Sequence, residues 1–128
     1  MPPSARTSPP VDTFSDVRLC GRLSGASQIE LPSGDEAVTF RVVIDRPARH
    51  RGPSGRTVVD AIDCVAWTAS VRRRILAYGD GEIIDVHGWL QRRFWQAGGA
   101  PASRTEVVVR EVTRVTGRSG PSASASAR

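Results

Sequence analysis

Between Phe14 and Gly117 the sequence alternates apolar and polar residues in five separate stretches and breaks that period once. Alternation sends successive side chains to opposite faces of an extended chain, so each stretch specifies a half-buried strand. Val17, Leu19, Gly21 and Leu23 alternate with Arg18, Cys20 and Arg22. Val38, Phe40, Val42 and Ile44 alternate with Thr39, Arg41, Val43 and Asp45. Val58–Trp67, an unusually long Glu82–Trp95 and Thr105–Val115 complete the set. The break lies between Thr68 and Gly79, where Val71, Ile75 and Tyr78 recur at helical spacing. Thr68 is placed to cap the start and Gly79 to stop it, which predicts one helix of about three turns.

The resulting order is β-β-β-α-β-β. A long fourth strand and a single helix between strands three and four predict an all-β fold, a five-stranded Greek-key OB-fold barrel plugged at one end by the helix. The connections 47–56 and 96–104 are then expected to be long, mobile hairpin tips. Phe40, Phe94 and Tyr78 are expected in the core, with Phe14 covering the barrel edge before the first strand. Cys20 and Cys64 are expected to be small buried or half-buried fillers. Residues 1–13 hold four of the nine prolines, and 118–128 are a low-complexity run of Ser and Ala with Gly120, Pro121 and an arginine at each end. Both are expected to be disordered segments flanking one domain over 14–117.

Composition removes whole classes of function. No apolar run exceeds four residues, against the roughly 20 that a membrane span needs, so no membrane association is expected. The first ten residues contain no apolar stretch of the secretory kind, and a cytoplasmic location is expected. The two cysteines stand 44 positions apart, which excludes a zinc ribbon or a disulfide scaffold. Asp60 and Asp63 are three apart on a strand and face opposite ways, so they do not share a metal with His87. Phosphate-binding glycine loops, nucleophile elbows and C-x-x-C pairs are missing, and catalysis is not expected. All 18 basic residues are arginine and the net charge is +5. That makes an anionic partner plausible, with the side chain best suited to phosphate forks and to stacking on bases.

Five segments then occur in order: Val17-Arg-Leu-Cys-Gly-Arg-Leu23, Val38-Thr-Phe-Arg-Val-Val-Ile-Asp-Arg46, Cys64-Val-Ala-Trp67, Gly79-Asp-Gly81 leading to Val86-His-Gly-Trp-Leu90, and Thr105-Glu-Val-Val-Val109. The series resembles the bacterial single-stranded DNA-binding protein family over roughly residues 14–115. The resemblance implies an OB-fold, a homotetramer, no cofactor and no catalysis. Its function would be sequence-tolerant binding and protection of single strands in replication, recombination or repair, with the protein associated with the nucleoid.

A single strand offers phosphates and exposed base faces, so a binder needs cations along a groove with flat aromatics between them. On the fourth strand His87, Trp89, Gln91, Arg93 and Trp95 share one face, a composition that belongs outside a barrel. Trp89 there is either a base-stacking platform or part of a protein–protein interface. By resemblance, Trp67 and Trp95 match positions whose aromatics stack on bases. Ala61 stands where many members have a further stacking tryptophan, and Asp63 where some have a cation. Both departures predict a weaker or smaller footprint than that of the best-known members, unless Trp89 compensates. Arg46, Arg49, Arg51 and Arg56 surround the loop that the resemblance places along the DNA path. Arg22, Arg92 and Arg93 are the other phosphate candidates, whereas Arg72, Arg73 and Arg74 are expected on a solvated helix face.

The alternative is an OB-fold protein-interaction module with little DNA affinity. Family members that recruit repair enzymes carry an acidic, apolar-tipped C-terminal peptide. No Asp or Glu follows Glu111 here, so tail-mediated docking of such enzymes is not expected.

Overall fold

The structure, a computed structural model, describes residues 11–115. The expectations for residues 1–10 and for the C-terminal tail lie outside the described residues. Five strands, β1 (Val17–Glu30), β2 (Glu36–Asp45), β3 (Val59–Ala66), β4 (Ile83–Ala97) and β5 (Ala100–Arg114), and one helix, α1 (Ala69–Ala77), follow in the expected order. They close into a barrel in the order β1-β2-β3-β5-β4. This is the OB-fold, with the helix between the third and fourth strands as the alternation pattern predicted.

β1 serves two neighbours. Its first half pairs antiparallel with β4 from Val17 to Arg22, and its second half with β2 as far as Glu30, bending at a bulge between Ser24 and Ser27. A bulge adds twist where a strand must turn from one side of a barrel to the other. Closure requires one parallel contact, and β3 meets β5 only through Cys64↔Val107 and Val65↔Val108. A second irregularity falls between His87 and Gly88 on the β4–β5 ladder. There the backbones approach so closely that a Cβ at Gly88 would collide with the Val108 carbonyl.

The inward residues of the alternation make the core: Leu23, Val38, Phe40, Val42, Ile84, Val86, Val107 and Val109. Val71 and Ile75 of α1 close one end, with Ile75 fully buried. Tyr78 packs partly buried against this core. Thr68 occupies the N-cap position of α1 without a side-chain hydrogen bond, and the helix ends at Ala77, one residue before the expected Tyr78.

Several expectations are corrected. The segment 96–104 is not a long loop: β4 and β5 run almost to a two-residue turn at Gly98 and Gly99, both with positive φ (60° and 84°). Glycine is favoured at both positions of such a turn, and the pair matches the twist of the flanking strands. The hairpin therefore extends past the barrel as a two-stranded arm, because β4 loses β1 beyond Gly88 and β5 meets β3 only at Val107 and Val108. Phe94 lies on this arm, 73% exposed, and is not in the core. Its side chain points to the inward side at a level where no opposing strand exists. Phe14 is 87% exposed and covers no barrel edge. Cys20 is exposed, while Cys64 is buried and its thiol is pushed up to about 12 by that burial. Of the three helix arginines expected on a solvated face, Arg73 and Arg74 are exposed, with Arg74 reaching the Val112 carbonyl, whereas Arg72 is half-buried and donates to Glu36.

Candidate nucleic-acid interface

The outward residues of the same alternation build a surface. Across β1, β2 and β3 the pairing aligns Arg22, Val43 and Ala61 in one row and Ser24, Arg41 and Asp63 in the next. On the arm, Trp89 faces Val108, Gln91 faces Glu106, Arg93 faces Arg104 and Trp95 faces Ala102. Val108 belongs to a small outer cluster with Ala37 and Val65, against which Ile29 packs. Trp89, Arg93 and Trp95 therefore do lie outside the barrel. The β3–β5 ladder stops at Cys64↔Val107. One residue further on, a cleft opens, lined by Thr39, Arg41, Asp63, Arg93, Arg104 and Glu106.

Charge in this cleft is organised. Arg41 Nε donates to Asp63 Oδ1 at 3.3 Å, and Arg104 Nε lies 3.7 Å from Asp63 Oδ2. Arg93 Nε donates to Glu106 Oε1 at 3.3 Å. Asp63 is thus held between two guanidiniums, and the repulsion expected of a carboxylate in a phosphate groove is offset locally. Three arginines against two carboxylates leave the cleft cationic. The guanidiniums of Arg93 and Arg104 also lie 5.1 and 5.7 Å from the Trp95 ring centre, within cation–π range. Trp95 itself is 36% exposed.

The three tryptophans share the outer side but are spread along it. Trp89 and Trp95 are six residues apart on one face, about 20 Å at strand spacing. Trp67 follows Val65, whose register partner Val108 faces Trp89. It sits beyond that row, beside Gly34, Asp35, Glu36 and Arg72. Trp89 donates its indole N–H to Gln91 at 3.2 Å and lines a hollow with Phe14, Ser15 and Asp16.

The arginines singled out from sequence divide differently from expectation. Arg22 forms a fork with Asp45 at 3.0 and 3.1 Å, and Arg46 one with Asp60 at 2.9 and 2.7 Å. Hydrogen bonding to Arg22 holds the Asp45 carboxyl below the usual carboxylate range, and Arg46 does the same to Asp60. Arg46 also reaches the His50 carbonyl, and Arg51 Nε donates back to the Arg46 carbonyl at 3.1 Å. Those two arginines fold the loop around a 3-10 turn at Ala48–His50. Arg49 and Arg56 are left exposed, with no ion pair among the described residues. Arg92 lies on the opposite face of the arm from Trp95, donating to Thr105 and Ser103 beside Phe94. Arg41 and Arg104 were missed. Strict alternation on the second strand places Arg41 beside Thr39 on the outer face. Arg104 becomes visible once Gly98-Gly99 is read as the turn.

A model of the single-strand binding protein family matches residues 14–115. Among solved structures, the chain is similar to one described as Plasmodium falciparum SSB complex with ssDNA, at a TM-score of 0.66 and 19% identity. The likeness covers 83% of this chain and 98% of that one, and at this identity it concerns the fold. No curated protein matches the chain.

Proposed function

Since the chain belongs to the single-strand binding protein family, we propose that it binds single-stranded DNA with little regard to sequence. The observation that carries this reading is the cleft at the base of the arm, lined by Arg41, Arg93 and Arg104, together with Trp95 further out along the arm, whose indole lies against the same Arg93 and Arg104. A base stacks on the indole, and the phosphates on either side take guanidinium forks. Stacking on an indole and forks to phosphates are open to every base, so binding is sequence-tolerant. No step of this function requires a cofactor or a bond to be broken.

Phosphates entering the cleft compete with carboxylates already there. Asp63, a third exposed and shared by two arginines at 3.3 and 3.7 Å, is the exchangeable occupant. The exposed Arg49 and Arg56 extend the cationic path along the loop after β2, while Arg22, Arg46 and Arg51 shape its edge. Trp67 and Trp89 supply further stacking surfaces along the same side. Assembly as a homotetramer would cover the exposed Phe94 and Leu90 on the other face of the arm. In this reading the protein protects single strands during replication, recombination or repair, in the cytoplasm at the nucleoid.

Titration of oligo-dT, of a mixed-sequence single strand and of a duplex of equal length tests the proposal. Both single strands should bind far more tightly than the duplex. Their log–log salt slope should be near −0.7 per phosphate contacted. Equal affinity for duplex, or an affinity indifferent to salt, would refute it and favour the protein-interaction alternative.

A further inference from the structure

Glu106 is the one charged residue among the buried residues described, at 4% exposure. It stands on the outer side of the barrel, one residue before the closing β3–β5 contact. The fold does not call for an acid there. The next outward residue, Val108, joins an apolar cluster with Val65 and Ala37, and an apolar side chain at 106 would extend it. Burying a carboxylate is costly unless it is paired, and an acid next to a phosphate path also repels the ligand. Both penalties fall on one residue, and its partner shows what they achieve. Glu106 Oε1 accepts from Arg93 Nε at 3.3 Å, and the guanidinium so held lies 5.1 Å from the Trp95 ring centre.

We infer that Glu106 is the positioning residue of the Trp95 platform: it fixes Arg93 against the indole so that the stacking surface is formed before DNA arrives. The inference rests on the proposed binding of single strands by this cleft and deepens it. An arginine side chain carries large rotamer freedom, and tethering its Nε leaves the guanidinium plane ordered while its Nη groups stay free for a phosphate. Arg104, opposite Arg93 on the ladder, has no such post. Its carboxylate partner is the more exposed Asp63, which it shares with Arg41. One arginine at the ring is therefore tethered to a buried carboxylate and the other to a more exposed, shared one.

The sign of one substitution decides the matter. If Glu106 were only a negative charge near DNA, its removal would tighten binding. As a positioning residue its removal loosens it. Glu106→Ala is expected to weaken oligo-dT affinity about tenfold, roughly the lower half of the range that one stacked base contributes. Glu106→Gln keeps the shape and an acceptor oxygen, and is expected to fall between Glu106→Ala and wild type. In a Trp95→Ala background Glu106→Ala should change affinity less than twofold, because the platform it serves is gone.

A measurement without DNA separates this inference from the binding proposal. With Trp67 and Trp89 replaced by phenylalanine, Trp95 is the sole indole, and Glu106→Ala should raise its acrylamide quenching. If wild type fails to bind oligo-dT while that quenching rises, the positioning role stands and the binding proposal falls. Tighter binding by both Glu106 variants, an equal loss in the Trp95→Ala background, or unchanged quenching would each overturn the inference.

Discussion

Replacing Asp63 with asparagine removes a negative charge from the cleft while keeping its volume, and the structure sets the size of the effect. Asp63 lies 3.3 Å from Arg41 and 3.7 Å from Arg104. A phosphate held by either guanidinium would sit about 6 Å from the carboxylate, one charge-assisted hydrogen bond further out. At that separation two unit charges repel by on the order of 0.7 kcal/mol in a water-like dielectric, appropriate for a side chain a third exposed. Two such phosphates give about 1.4 kcal/mol, or roughly a tenfold gain in affinity for Asp63→Asn. The lost ion pairs oppose this only weakly, since exposed pairs contribute about 0–1 kcal/mol and phosphate replaces the partner in the complex. Intrinsic tryptophan quenching by oligo-dT at 0.1 and 1 M salt is the assay. The gain should be present at low salt and vanish at 1 M, where the screening length is about 3 Å. Weaker binding by Asp63→Asn at low salt would refute the argument, because Asp63 would then be organising the arginines rather than occupying a phosphate's place.

Trp95→Ala should cost about 1–3 kcal/mol of binding, one stacked base, and leave thermal unfolding unchanged, because the indole lies on the arm and outside the core. Trp89→Ala separates two roles in one experiment: reduced oligo-dT affinity marks a further platform, and an altered mass by light scattering marks an interface. Ile75→Ala should destabilise by about 2–5 kcal/mol in denaturant titration, since the side chain is fully buried where α1 closes the barrel. The Asp45, Asp60 and Asp85 carboxyls are all held low by arginine hydrogen bonds. A carboxyl lowered in the folded state contributes stability above its unfolded pKa and loses that contribution as pH falls through the folded value. The melting temperature should therefore decline below about pH 4, and an Asp45→Asn, Asp60→Asn variant should show a shallower decline.

Strand alternation was sufficient to order the barrel, because a residue at the wrong parity would put Val38, Phe40 or Val42 into water. It also placed Trp89, Arg93 and Trp95 on the outer side correctly. It failed at Phe94 because parity says which side a residue faces and not whether anything lies there. Only the pairing limits, Gly88 for β1 and Val107 for β3, show that the arm has left the barrel. The cation set was the least legible part. Arg22 was singled out at the end of the first strand and Arg46 beside the loop that the resemblance places along DNA, and their forks with Asp45 and Asp60 join residues 23 and 14 positions apart. Glu106 was invisible as a functional residue for the same reason. Its burial depends on strands from three parts of the chain, and nothing local distinguishes it from a solvated acid ahead of a valine run.

The arm beyond the Leu90↔Val107 pair contributes none of the residues of the hydrophobic core. Its amides should exchange with solvent through local opening, well below the free energy that protects the barrel strands. Substitutions at Gln91, Arg92, Arg93, Phe94, Trp95 and Ser103 then change what the protein holds without spending the marginal stability on which folding depends. Evolution can rewrite this surface one residue at a time, testing new ligand chemistry on a scaffold that keeps folding throughout. The price of that freedom is that folding selection does not protect the arm, so its chemistry persists only while binding itself is selected.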